Sequence, residues 1–133
     1  MRYLLDTNTC VDYMNGRWPS VVARVQRSDP YDLRLSSVAV AELRYGADKS
    51  ARPRENHARI DQLVQDLQCL DFDLDAAAAY GRIRADLEAL GQPIGPNDLL
   101  IAAQALSQGL VLVTNNLREF QRVKGLRIEN WRE

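Results

Sequence analysis

Residues 95–106, Gly95-Pro96-Asn97-Asp98-Leu99-Leu100-Ile101-Ala102-Ala103-Gln104-Ala105-Leu106, lead through Ser107-Gln108-Gly109 into Leu110-Val111-Leu112-Val113-Thr114-Asn115-Asn116, and this stretch decides the fold. Proline is favoured at the first helical position, where its missing N–H costs nothing, so Gly95-Pro96 opens a helix. That helix is apolar on nearly every side, which predicts a central, buried position. Leu110–Val113 is aliphatic at every residue instead of every second one, the pattern of a parallel strand covered on both faces.

Working outward, the same alternation recurs. Tyr3–Leu5 is a short apolar strand halted by Asp6, and Thr9–Met14 reads as a helix stopped at Asn15-Gly16. Pro19–Gln26 predicts a second helix and Leu33–Ser36 a strand, after which Ser36 or Ser37 caps a helix through Tyr45 that Gly46 stops. Glu55–Leu67 is a polar amphipathic helix and Cys69–Phe72 a short strand. Asp75 caps a helix to Leu90, closed by Gly91, and Leu126–Ile128 adds a last edge strand. Strands alternating with helices imply an α/β fold, a central parallel β-sheet flanked by α-helices. No internal repeat or low-complexity segment interrupts it.

The composition sets limits on function. The chain has 133 residues, 46% hydrophobic, which suits one domain over residues 1–133 with a real core. Seventeen basic residues nearly balance 18 acidic ones, so wholesale disorder is excluded. No apolar run approaches the roughly 18 residues of a bilayer crossing, and Asp6 falls where a signal peptide would continue its apolar stretch, so a cytoplasmic location is expected. Cys10 and Cys69 lack the close spacing of zinc or redox motifs and read as ordinary thiols with the burial habit of free cysteine. His57 is the only histidine, which excludes a metal-free nuclease built on two imidazoles. A net charge of -1 argues against a broadly basic nucleic-acid binder, although 15 of the 17 cations are arginine, well shaped to grip phosphate.

In open parallel sheets, ligands gather at the carboxyl ends of strands. Four polar positions fall there. Asp6 ends the first strand within Asp6-Thr7-Asn8, Glu42 shares a helical face with Val38, Ala41 and Tyr45, Asp98 begins the buried helix, and Thr114-Asn115-Asn116 ends the aliphatic strand. Each has a structural reading too: Asp6 as an N-cap, Asp98 as a first-turn acid facing the helix dipole, Glu42 paired with Arg44 or Arg82, and Asn116 as a turn residue. Jointly, carboxylates that converge on one sheet edge repel each other, and the usual compensation is a hard divalent cation with oxygen ligands. Mg²⁺ or Mn²⁺ fits, whereas zinc is disfavoured without a histidine or thiolate cluster. Such an ion activates water and neutralises a phosphodiester, which is nuclease chemistry without histidine.

Four strings carry a family likeness: Leu5-Asp6-Thr7-Asn8, Val40-Ala41-Glu42-Leu43-Arg44-Tyr45-Gly46-Ala47, Gly95-Pro96-Asn97-Asp98-Leu99-Leu100-Ile101-Ala102 and Val113-Thr114-Asn115-Asn116-Leu117-Arg118-Glu119-Phe120. In this order and spacing the chain resembles, over essentially its whole length, the PIN-domain toxins of bacterial VapBC toxin–antitoxin modules. The resemblance implies a PIN-like fold and a Mg²⁺-dependent endoribonuclease, with Asp6 and Asp98 as principal metal ligands and Glu42 assisting. It also implies a cognate VapB-like antitoxin, a homodimer and a higher assembly with the antitoxin. Thr114 to Phe120 and Glu129-Asn130-Trp131 are most similar to enteric-type members, which cleave initiator tRNA in the anticodon stem-loop. Many PIN domains carry a fourth acid where this chain has Asn116, a departure that favours a single well-held ion.

The expected site is therefore Asp6, Glu42 and Asp98, with Asn116 as a neutral oxygen ligand or substrate contact. Thr7, Asn8 and Thr114 are the expected donors that orient the carboxylates, and Arg17, Arg24, Arg27, Arg44 and Arg118 are candidates for holding the RNA backbone. Two rival readings are a phosphoacceptor, receiver-like domain, which would want an early acid pair and a late strand-end lysine, and a degenerate PIN fold kept for binding. Asn8 stands where an Asp-x-Asp phosphatase would need its second acid.

Overall fold

A computed structural model describes residues 1–133. Five strands, β1 (Tyr3–Leu5), β2 (Leu33–Ser36), β3 (Gln68–Leu70), β4 (Val111–Val113) and β5 (Ile128–Glu129), form one sheet in the order β3-β2-β1-β4-β5. Every pairing is parallel, with Leu5 opposite Leu35 on one side and Val113 on the other. Every residue of β2 and β4 is buried, and parallel strands of this kind need cover on both faces. The helices α1 (Thr7–Asn15), α2 (Pro19–Arg27), α3 (Ser37–Lys49), α4 (Pro53–Asp66), α5 (Leu74–Ala89) and α6 (Pro96–Gln108) provide it, and a single turn, α7 (Leu117–Phe120), precedes β5. Helix α6 packs along α5 and buries Leu99, Ile101, Ala102, Ala103, Gln104 and Ala105, as its all-round apolarity requires.

The chain winds outward from β1 to β3 and then returns to place β4 on the other side of β1. The C-terminal ends of β1 and β4 therefore flank the point where the winding reverses, the place at which open α/β sheets form a crevice. This order also removes the receiver-like reading, because that doubly wound fold orders its strands 2-1-3-4-5.

Several boundaries differ from the sequence reading. Gly46 does not stop α3: its φ is not positive, and burial of Ala47 one residue on offsets the roughly 1 kcal/mol that glycine costs inside a helix. Asp73, not Asp75, caps α5, its carboxylate accepting from the Ala76 N–H at 2.9 Å. Strand β3 starts and ends earlier than Cys69–Phe72 and leaves Cys69 exposed on the sheet edge, so only Cys10 shows the burial expected of both thiols. Strand β5 lies at Ile128–Glu129 instead of Leu126–Ile128, and α7 was not anticipated, four residues being too few for a periodic signal.

Candidate active site

Asp6 sits at the end of β1 and caps α1, its Oδ1 accepting from the Thr9 N–H at 2.8 Å. The cap and the site are thus the same residue. Thr9 also anchors the turn to the neighbouring strand, its hydroxyl donating to the Val113 carbonyl at 3.0 Å. Burial pushes the Asp6 carboxyl above the ordinary range, while hydrogen bonds from Thr114 and Thr9 oppose the rise. Glu42, two turns into α3, accepts a 2.6 Å hydrogen bond from the Thr7 hydroxyl. Thr7 is therefore its partner, in place of Arg44 or Arg82; Arg44 instead reaches the His57 ring at 3.1 Å and Asp61 at 2.6 Å.

Asp98 stands in the first turn of α6, where the helix N-terminus favours negative charge. Its carboxyl is nevertheless pushed up to about 7, first by burial, then by a hydrogen bond shared with Glu119 and by the charges of Glu119, Asp6 and Glu42. Four carboxylates thus crowd one sheet edge. Glu119, on α7, is the one of the four without a sequence signal, and it sits beside Asp98. Asn116 bridges the pair, its Nδ2 donating to Glu119 at 2.7 Å and, more weakly, toward Asp98 at 3.5 Å. It thereby offers its amide donor to the acids and not the oxygen expected of a ligand. Glu119 lies three residues beyond Asn116, in the first turn of the following helix.

The expected orienting residues divide. Thr7 and Thr114 contact the carboxylates as described, and the Thr114 hydroxyl also accepts from the Asn116 N–H at 3.0 Å, fixing the loop. Asn8 is exposed on α1 and makes no side-chain hydrogen bond to the acids. Among the expected RNA-holding arginines, Arg24 is committed within the molecule: it lies 4.7 Å from the Trp131 ring and 3.5 Å from Glu129. Arg44 is committed likewise, while Arg17, Arg27 and Arg118 are exposed.

No three acidic, histidine or cysteine side chains converge closely enough, as they stand, to ligate one ion. The donor set nonetheless fits a hard cation. Mg²⁺ keeps most of its waters and needs only one or two carboxylates, and the carboxylate repulsion that adds to burial in lifting Asp98 is what such an ion relieves. In the same loop, Asn115 Oδ1 is buried without a hydrogen-bond partner, an oxygen that a water or a cation would satisfy.

This arrangement has known counterparts. Residues 3–126 match the family model described as the PIN domain. The chain belongs to the PIN-domain family. This PIN domain is 43% identical over 131 residues to the tRNA(fMet)-specific endonuclease VapC of Salmonella typhimurium, covering 98% of each chain. It is 44% identical over the same length to the tRNA(fMet)-specific endonuclease VapC of Shigella flexneri. Among solved structures, DNA-bound VapBC from Salmonella typhimurium superposes with a TM-score of 0.93 at 43% identity, 98% of both chains being covered. VapBC-1 from nontypeable Haemophilus influenzae gives 0.90 at 35% identity over the whole of both chains. The PIN domain described here is accordingly a nuclease of the VapC type, and PIN-domain ribonucleases generally use a divalent metal. No helix in it is long and apolar enough to cross a membrane.

Proposed function

We propose that this PIN domain, a single domain over residues 1–133, is a Mg²⁺-dependent endoribonuclease that cuts initiator tRNA within the anticodon stem-loop as the toxin of a cytoplasmic toxin–antitoxin pair. The observation that carries the nuclease reading is the crowding of Asp6, Glu42, Asp98 and Glu119 at one sheet edge, with Asp98 lifted to about 7. Asp6 and Asp98 would be the principal ligands of the cation, assisted by Glu42, and Mn²⁺ would substitute for Mg²⁺. Bound there, the ion supplies charge neutralisation at the phosphodiester and an activated water. The chain's own groups supply position: the Thr9 N–H and the Thr114 hydroxyl hold Asp6, the Thr7 hydroxyl holds Glu42, and the Asn116 amide holds Glu119 beside Asp98. Retention of all four acids with their hydrogen-bonded supports favours a working enzyme over a degenerate fold.

The RNA target rests on the similarity to the two tRNA(fMet)-specific relatives. A surface without strong net charge gains little from undirected phosphate attraction, so selection relies on RNA shape and on exposed loop bases. The test compares purified initiator and elongator tRNAs at equal concentration and fixed salt, with and without Mg²⁺. A discrete cut in the initiator anticodon stem-loop, lost in chelator, is expected. Equal cleavage of both tRNAs overturns the substrate, and metal-independent cleavage overturns the mechanism.

A VapB-like antitoxin is the proposed partner, in line with the VapBC complexes among the structural neighbours. A groove of about 270 Å³ lined by Val11, Met14, Leu43 and Ile60 opens beside Thr7 and Glu42, which suits an apolar segment that delivers a cation to the acids. Association as a homodimer is likewise proposed, and a sedimentation profile showing only monomer at micromolar concentration would refute it.

A further inference from the structure

A second groove, of about 510 Å³, runs between α5 and the segment that follows α7. Its floor includes Leu87 and Val123, and its rim carries Arg82, Arg122 and Lys124 against a single acid, Asp86. The ion pairs of the molecule use other cations, namely Arg24, Arg44, Arg52, His57, Arg84 and Arg132. Three cations around this groove therefore face solvent with no carboxylate neutralising them, in a chain whose net charge is -1.

Arg122 links the groove to the segments that carry the acids. Arg122 lies three residues beyond Glu119, and its Nη1 donates to the Pro93 carbonyl at 3.0 Å, which fastens it to the loop leading into Asp98. The segment that carries Glu119 into the site thus also builds one wall of the cationic groove, and Arg122 ties that wall to the loop before Asp98.

We propose that this groove is the track for the sugar–phosphate backbone of the RNA flanking the cleaved bond, a reading that rests on the ribonuclease function above. Its chemistry favours backbone over bases. Cations are what phosphates require, and the lining has no aromatic ring on which a base would stack, so the contribution is independent of sequence. It also answers an electrostatic need: four carboxylates at the site repel a polyanion, and a cationic strip beside them offsets that repulsion. Of the arginines expected to grip RNA, Arg24 and Arg44 are engaged elsewhere, and the groove supplies Arg82, Arg122 and Lys124 in their place.

The test reverses charge at the two rim cations that make no internal hydrogen bond, Arg82→Glu and Lys124→Glu, singly and together in the full chain. Binding of labelled initiator tRNA is followed by anisotropy across a salt series, with Asp98→Asn as the common background to prevent cutting. Loss of each phosphate contact lowers the slope of log K against log salt by about 0.7 for a single strand, so the double reversal should lower it by about 1.4. In the otherwise unchanged enzyme, KM should rise while kcat stays within about twofold. Arg82→Lys and Lys124→Arg should keep the parental slope. An unchanged slope and KM in the double reversal, with the parent still cutting RNA, overturns the track. A double reversal that turns a dimer into monomer on sedimentation overturns it as well, because the groove then joins two copies. Failure of the parent to cut any RNA is a separate result that removes the ribonuclease reading itself.

Discussion

Asp98 is caught between burial and three other carboxylates, and its titration should be visible in the stability of the metal-free protein. Its folded value of about 7 lies above the roughly 3.9 of an aspartate in an unfolded chain. Between these values the folded state holds a proton that the unfolded state releases. The stabilisation is therefore fully present below about pH 4 and is lost as pH rises toward about 7. Asp6, also raised by burial, acts in the same direction. In chelator, the melting temperature should fall between about pH 4 and pH 7, and Asp98→Asn should flatten that slope; parallel slopes for parent and variant would refute the assignment. The chemical role has its own measurement. Asp6→Asn and Asp98→Asn each remove a charged oxygen while keeping the shape, so RNA cleavage should drop by about a hundredfold or more with the circular dichroism unchanged. Glu119→Gln should lose activity as well, and wild-type rates in that variant would return Glu119 to a structural part.

At the level of elements, the buried helix α6 is fastened to the sheet by one polar residue in an otherwise apolar run. Gln104 accepts a hydrogen bond from the Ser36 hydroxyl at the end of β2 and donates to the Leu70 carbonyl of β3 at 3.1 Å. One amide thus ties two neighbouring strands to the helix that presents Asp98. Gln104→Leu would leave the Leu70 carbonyl without this partner, and the cost should be about 1–3 kcal/mol in urea unfolding. A variant as stable as the parent would mean that water replaces the amide at no cost.

Across the whole molecule, the two ends of the chain close on each other. Arg132, the penultimate residue, donates to Asp12 on α1 at 2.6 and 3.0 Å, and its guanidinium lies 4.5 Å from the Trp18 ring. Asp12 is almost fully buried, and Arg132 is its ion-pair partner. Trp131 packs edge-on against Tyr3 of β1, with ring centroids 5.1 Å apart, and its indole donates to Glu129 of β5. The C-terminal tail therefore braces the strand that ends in Asp6. Arg132→Ala should cost about 2 kcal/mol by urea unfolding, whereas Asp12→Asn with Arg132→Ala together should cost less than the sum of the two single changes. Additive losses would show that the pair is not coupled.

The sequence by itself determined the alternation of strands and helices, the burial of α6 and β4, and three of the four acids. All of these follow from local patterns: an aliphatic run with no polar break, a proline entry, and carboxylates placed where strands end. Tertiary structure alone decided which groups meet. The Thr7 hydroxyl finds Glu42 across 35 residues, and Arg132 finds Asp12 across 120, separations at which no sequence period operates. Packing carried α3 past Gly46, because burying Ala47 outweighs a weak propensity. Glu119 stayed hidden because a four-residue helix has no periodic signature; its role comes from Asn116, whose amide holds it against Asp98 only once β4 and α6 lie side by side in space.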